Sequence, residues 1–264
     1  FVIVSADDPS MHSSQNEQDN RHYARAAKLA MVEPSDSQEC LDFMREAYRI
    51  SEQFDIPVLF RTTTRVAHSK SIVTFGEREE QEAKPYARNT RKNIASPANA
   101  FLNHPKLEKT LEALEAYGCT SPLNRMELNG TKVGVISASI AYEYAKDAFP
   151  ADTSFLKLGL TYPLPMDLIR DFAGKVEKLY VIEELDPFIE EQVRAMGIPA
   201  RGKDIFSPED VYWGVVEPNG SITTAPMPQD GEAPPMLPLL IDKAVYKENL
   251  AFFGMDAAAL ALPA

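Results

Sequence analysis

Cysteine is nearly absent: Cys40 and Cys119 are the only two, far apart and in no metal-ligand spacing. This excludes a disulfide framework, and it excludes a metal cluster built from this chain's own thiols. Histidine is scarce as well. His12, His22, His68 and His104 are not spaced as a metal centre, and the first two share one polar loop. No window approaches the roughly 18 consecutive apolar residues of a membrane span. Basic residues are in deficit, 27 Lys+Arg against 39 Asp+Glu, for a net charge of -12. That balance argues against nucleic-acid binding, which needs basic surface to displace counterions from phosphates, and it fits a cytoplasmic protein. The GxSxG, HExxH, P-loop and GxGxxG patterns are missing, so no self-contained hydrolase, zinc-protease or nucleotide site is legible. No internal repeat is visible.

What is present reads as an α/β chain. The 264 residues, 44% hydrophobic and 25% charged, suffice for one large or two modest domains. Val2 to Ser5 has a buried-strand pattern with nothing before it, and is read as a cut through the middle of a domain. A polar loop, Asp7 to Asn20, leads to a second strand at Leu29 to Val32. Asp36 and Glu39 then stand in capping-box spacing ahead of a helix whose apolar face is Leu41, Met44, Tyr48 and Phe54. Pro57 to Phe60 is a third strand. The charge run Glu77 to Glu82 opens a connector, in which Leu107, Leu111 and Leu114 mark one face of a helix.

Past Gly130 the pattern becomes strand–helix again: strands at Val133 to Ser137, Phe155 to Leu158 and Leu179 to Glu183, helices at Tyr142 to Ala148, Leu168 to Ala173 and Phe188 to Met196. Such alternation predicts a small parallel sheet covered on both faces. It also predicts that the span from Val133 to Met196 folds independently and exchanges its amides more slowly than Val2 to Phe60. Glu217 to Pro238 has the proline-rich composition of a linker, and Ala244 to Leu262 that of a terminal helix. The divisions are thus 1–75, a connector over 76–129, 130–205, and a terminal segment over 206–264.

Three loops after strand ends carry the candidate chemistry. Asp7 to Arg21 gathers hydroxyls, amides, carboxylates and a guanidinium; it reads either as a binding loop or as a surface turn with internal side-chain bonds. Arg21 is suited to pair with both oxygens of a carboxylate, and Arg25 follows it by four residues. Glu33 to Glu39 is an anion-facing helix start or a plain cap. Arg61 to Ser69 puts two arginines where they would bind a negative group or make interdomain salt bridges.

Taken together, Met11 to Arg21, Glu33 to Glu39 and Arg61 to Ser69 resemble the alpha subunits of indolepyruvate ferredoxin oxidoreductases, a thiamine-diphosphate-dependent 2-oxoacid:ferredoxin oxidoreductase family. The runs Phe155-Leu156-Lys157-Leu158-Gly159, Tyr162-Pro163-Leu164-Pro165 and Tyr180 to Phe188 are similar to that family's transketolase C-terminal-like domain. The resemblance implies the C-terminal part of a pyrimidine-binding domain followed by that second domain. It further implies oxidative decarboxylation of an aryl 2-oxoacid, with electrons leaving through 4Fe-4S clusters to ferredoxin and the acyl group passing to coenzyme A. Thiamine diphosphate and Mg²⁺ are the cofactors implied, and a beta subunit and oligomerisation the partners. Asn16, Glu17, Gln18, Arg21 and Arg25 are the substrate-facing residues implied. No catalytic residue, metal ligand or bound cofactor is assigned to this chain itself, and a related oxidoreductase for another 2-oxoacid, or a purely structural interaction module, are the alternative readings.

Overall fold

The run Val2–Asp7 forms β1, and parallel strands β2 (Ala30–Val32) and β3 (Val58–Thr63) join it in a sheet of order β1-β3-β2-β7. The computed structural model describes residues 1–11, 13–78, 80, 85–205, 212–216, 218–226 and 240–242. β1 is an edge strand paired with β3 alone, so the pattern read as a buried strand is half uncovered; Val4 is 63% exposed. The polar loop after β1 turns once through Pro9–Met11 and enters helix α1, Arg21–Ala27.

Helix α2, Ser37–Phe54, starts as the capping pattern predicts: the Asp36 side chain accepts the Glu39 N–H. Its core-facing residues are Phe43, Ala47 and Ile50, whereas Tyr48 is exposed. The stripe Phe43–Ala47–Ile50–Phe54 has equally good helical spacing and bulkier apolar side chains, so it takes the core. Arg61 to Thr63 extend β3, and Thr64–His68 is a short helix, α3; the expected strand-end loop is therefore ordered structure.

Within the span read as a connector lie helix α4 (Thr90–Asn93), helix α5 (Pro97–Gly118) and strand β4 (Arg125–Glu127). The expected face of α5 is used: Leu111 and Leu114 are buried and Leu107 packs beside them, against Ala30, Val32 and Phe60 of the first sheet. The second sheet has the order β4-β6-β5-β8. Strands β5 (Val133–Ala138), β6 (Ser154–Leu158) and β8 (Lys178–Ile182) are parallel, and β4 is an antiparallel edge. Helices α6 (Ser139–Ala148), α7 (Met166–Ala173) and α8 (Phe188–Ala195) connect or follow these strands.

Strand β7, Leu160–Tyr162, leaves the second sheet directly after β6 and pairs antiparallel with β2 of the first. One core accordingly runs between the sheets, holding Ala24, Met31 and Leu59 with Ile136, Leu156, Leu158, Phe172 and Phe188. In the stretch read as a linker, β9 (Tyr212–Val216) and β10 (Ile222–Pro226) form a hairpin completed by β11 (Leu240–Asp242). Its Val216 and Ile222 join the core on the far face of the second sheet. The expected terminal helix at 244–262 lies outside the described residues.

Candidate functional site at the strand ends

Parallel strands leave their C-terminal ends free for function, and in this chain those ends are occupied by charge. Arg61, near the end of β3, reaches sideways to both neighbouring strands: its Nε bonds Asp7 at the end of β1 and its Nη1 bonds Glu33 just past β2. All three side chains are buried, Arg61 at 2% exposure. Arg is suited to this position because its guanidinium presents donors in two directions at once, where Lys offers a point charge. Burial raises the Asp7 carboxyl above its ordinary range even with Arg61 beside it.

Arg21 is the second buried cation. It opens α1, whose start is held to β1 by Asn20, with its N–H on Asp7 at 2.8 Å and its amide on Ser5 at 2.6 Å. The guanidinium grips Asp19 through Nε and Nη2 (2.7 and 2.5 Å) and Glu183 through Nη1 (2.7 Å). It also donates to the carbonyls of Glu184 and Asp186. Burial opposes ionisation of Asp19, but the Arg21 hydrogen bond and charge outweigh it and lower that carboxyl's pKa. Arg65, on α3, makes the parallel contact to Glu184 at 3.0 Å. Glu183 also accepts the N–H groups of Ile189 and Glu190 at the start of α8, while burial raises its pKa.

Asp8 organises the loop that follows. Its carboxylate accepts the Ser13 and Ser14 N–H groups at 2.6 and 2.5 Å and the Thr64 hydroxyl at 2.5 Å. Burial works against its charge, but these donors win and hold the pKa down at about 2.

A further buried group lies on the same seam. Lys157, fully buried in β6, bonds Glu39 of α2 and sits 4.4 Å from the Phe43 ring centroid. Burial pulls its pKa down, against the opposing pull of Glu39. The Ser35 hydroxyl stands between Glu39 (2.8 Å) and Glu143 (2.9 Å), and Ser139 donates to the Pro34 carbonyl at 3.2 Å.

The three loops singled out in the sequence therefore converge. Asp7, Asp19 and Arg21 come from the first, Glu33, Ser35 and Glu39 from the second, Arg61 and Arg65 from the third. Of the residues expected to face substrate, Asn16, Glu17, Gln18 and Arg25 are exposed, and only Arg21 enters the cluster. Its donors are committed to protein acceptors, which corrects the expectation that it holds a substrate carboxylate. Both interdomain pairs made by Arg21 and Arg65 match the salt-bridge alternative. Glu183, Glu184 and Lys157 escaped notice in the sequence; a charged residue inside or directly after an apolar strand run was the signal available. Asp19, His22 and Asp186 bring one ligand atom each within 4.8 Å of one another. Both Asp19 oxygens are nevertheless engaged by Arg21, so this trio lacks the free donor that a metal requires.

Residues 6–117 match a protein-family model described as pyruvate flavodoxin/ferredoxin oxidoreductase, thiamine diphosphate-binding. The chain is 42% identical over 207 residues to the indolepyruvate oxidoreductase subunit IorA of Methanothermobacter thermautotrophicus, covering 76% of this chain and 34% of that protein. It is 41% identical over 203 residues to its counterpart in Archaeoglobus fulgidus, covering 75% and 33%. Against that of Pyrococcus horikoshii the identity is 38% over 222 residues, covering 78% and 34%. The chain thus spans about a third of the length of the curated relatives it matches.

Proposed function

The chain belongs to the pyruvate flavodoxin/ferredoxin oxidoreductase family with these IorA proteins, and on that premise we propose that it serves the oxidative decarboxylation of an aryl 2-oxoacid, indolepyruvate. The observation that carries this reading is the match to indolepyruvate oxidoreductases across all three strand-end loops. In a protein of the relatives' length, thiamine diphosphate with Mg²⁺ supplies the carbanion chemistry, 4Fe-4S clusters pass electrons to ferredoxin, and coenzyme A takes the acyl group. A beta subunit completes the enzyme, in a cytoplasmic setting.

This chain's own residues do not fit the cofactor's diphosphate. Such a group needs unengaged cations, amide donors or a bound metal. At the strand ends, Arg21, Arg61 and Arg65 are each paired with carboxylates, and carboxylates outnumber guanidiniums. Four sealed atoms there, Asp7 Oδ1, Glu33 Oε2, Arg61 Nη2 and Thr63 Oγ1, have no hydrogen-bond partner among the described residues. They offer one cationic donor, two acceptors and a hydroxyl to a small polar group such as water. The role we assign to this chain is to hold the two parallel sheets in register behind an exposed polar loop. In this role Arg21 positions the loop, and Asn16, Gln18 and Arg25 face the oxoacid.

The test is turnover by the full-length subunit combined with its partner subunit, followed as oxoacid-dependent reduction of ferredoxin. Indolepyruvate should exceed pyruvate and 2-oxoglutarate in kcat/KM by about tenfold or more. A preference for either aliphatic oxoacid would overturn the substrate assignment.

A further inference from the structure

Helix α5 carries two apolar stripes on opposite sides. At about 100° per residue, Leu107, Leu111, Leu114 and Gly118 share the face that packs on the first sheet. Ala98, Phe101, Leu102 and Pro105 follow the spacing i, i+3, i+4, i+7 and share a face roughly 160° further round. All four are exposed, Phe101 at 80% and Leu102 at 55%. The face between the stripes is taken by α4, since the amides of Asn99 and Asn103 donate to the carbonyls of Thr90, Ile94 and Arg91. The chain's own body lies behind the helix, so it leaves the outer stripe uncovered. Ile94 and Tyr86, on the approach to the helix, are exposed as well. Apolar side chains clustered in this way mark an interaction surface.

Charge identifies what the surface fits. From Lys84 to Leu107 the sequence holds five basic residues, Lys84, Arg88, Arg91, Lys92 and Lys106, and no acidic one. The whole chain carries -12, so everything outside this arm is more acidic still. Two arms brought together would oppose positive charge with positive charge. The complement is an acidic protein surface with an apolar centre, and the body of this same chain supplies the acidity. We infer that the arm over 84–107 docks on the body of a second copy, each arm reaching across a two-fold axis to the other body.

Sedimentation equilibrium of the whole chain tests this. A dimer is expected at about 50 mM salt, with its dissociation constant rising about tenfold or more at about 500 mM, because the rim contacts are screened. The Phe101→Asp, Leu102→Asp double variant should sediment as a monomer at both salts with an unchanged far-ultraviolet circular dichroism spectrum. The charge reversal Arg91→Glu, Lys92→Glu should weaken the dimer at low salt and lose the salt dependence. A monomer at low salt would overturn the inference, as would a dimer that both variants leave unchanged. Should the arm instead bind another subunit or a nucleic acid while this chain stays monomeric, the inference is equally overturned.

Discussion

Replacing Arg61 by Met would leave Asp7 and Glu33 at the buried ends of β1 and β2 with no cation between them. Removing one partner from a buried ion network costs about 3–5 kcal/mol, which for a chain of this size lowers the melting temperature by roughly 6–20 °C. Arg61→Lys should recover little of this, because one ammonium cannot reach both carboxylates in a fixed fork; thermal unfolding of the two variants checks the order. Asp8 makes a prediction in pH. Its folded pKa of about 2 lies below the ordinary 3.8, so its stabilisation is fully present above that ordinary value and is lost as pH falls through the folded one. Asp8→Asn should therefore destabilise the protein at pH 7 and make little difference at pH 2, measured by denaturant unfolding at each pH. For the oxoacid, Arg25→Ala in the full-length subunit is expected to raise KM about tenfold with kcat little changed, whereas Arg21→Lys should chiefly lower the melting temperature. An increase in KM confined to Arg21→Lys would return the carboxylate-holding role to Arg21. The arginines were legible in the sequence because they interrupt Thr-rich or polar strand ends. Their partners were not, because Arg21 and Glu183 lie 162 positions apart and nothing local to either one signals the pairing.

The passage from β6 to β7 shows why one element escaped the sequence reading. Phe155 to Tyr162 reads as a single run, broken only by Gly159, yet Leu158 belongs to the second sheet and Leu160 to the first. Gly159 permits the crossing because a Cβ there would meet the Leu123 carbonyl oxygen at 2.5 Å and the Phe43 ring at 2.6 Å. Its N–H and carbonyl are also used, by the Asn124 side chain and by the Glu33 N–H, both at 2.8 Å. Gly159→Ala should cost about 1–3 kcal/mol through overpacking, visible as a lower urea midpoint with an unchanged slope. The longer elements were legible, since α2, α5 and α8 show strong caps or clear apolar stripes and β5, β6 and β8 are continuous buried runs. Edge strands were harder. β4 is three residues long with an exposed Arg125, and β1 has the composition of a buried strand in an edge position. Amide exchange should accordingly be faster in β1 than in β5, every residue of which is buried.

Among the described residues, no helix is long and apolar enough to cross a membrane. At the scale of the whole molecule, the α/β class and the family were legible, but the relation between the two sheets was not. Composition and periodicity treat 130–205 as a unit, whereas β7 completes the first sheet and Met31 and Leu59 share a core with Leu156 and Leu158. The charged seam reinforces that shared core: Arg21 to Glu183, Arg65 to Glu184 and Lys157 to Glu39 all cross from one sheet's elements to the other's. Our account makes the two sheets one cooperative body, held at their strand ends by buried ion pairs, rather than two domains on a tether. Scanning calorimetry of the chain tests this most directly. A single transition, with calorimetric and van't Hoff enthalpies in agreement and a midpoint lowered as a whole by Glu183→Gln with Glu184→Gln, is the expected result. Two separable transitions, only one of which responds to those substitutions, would contradict it.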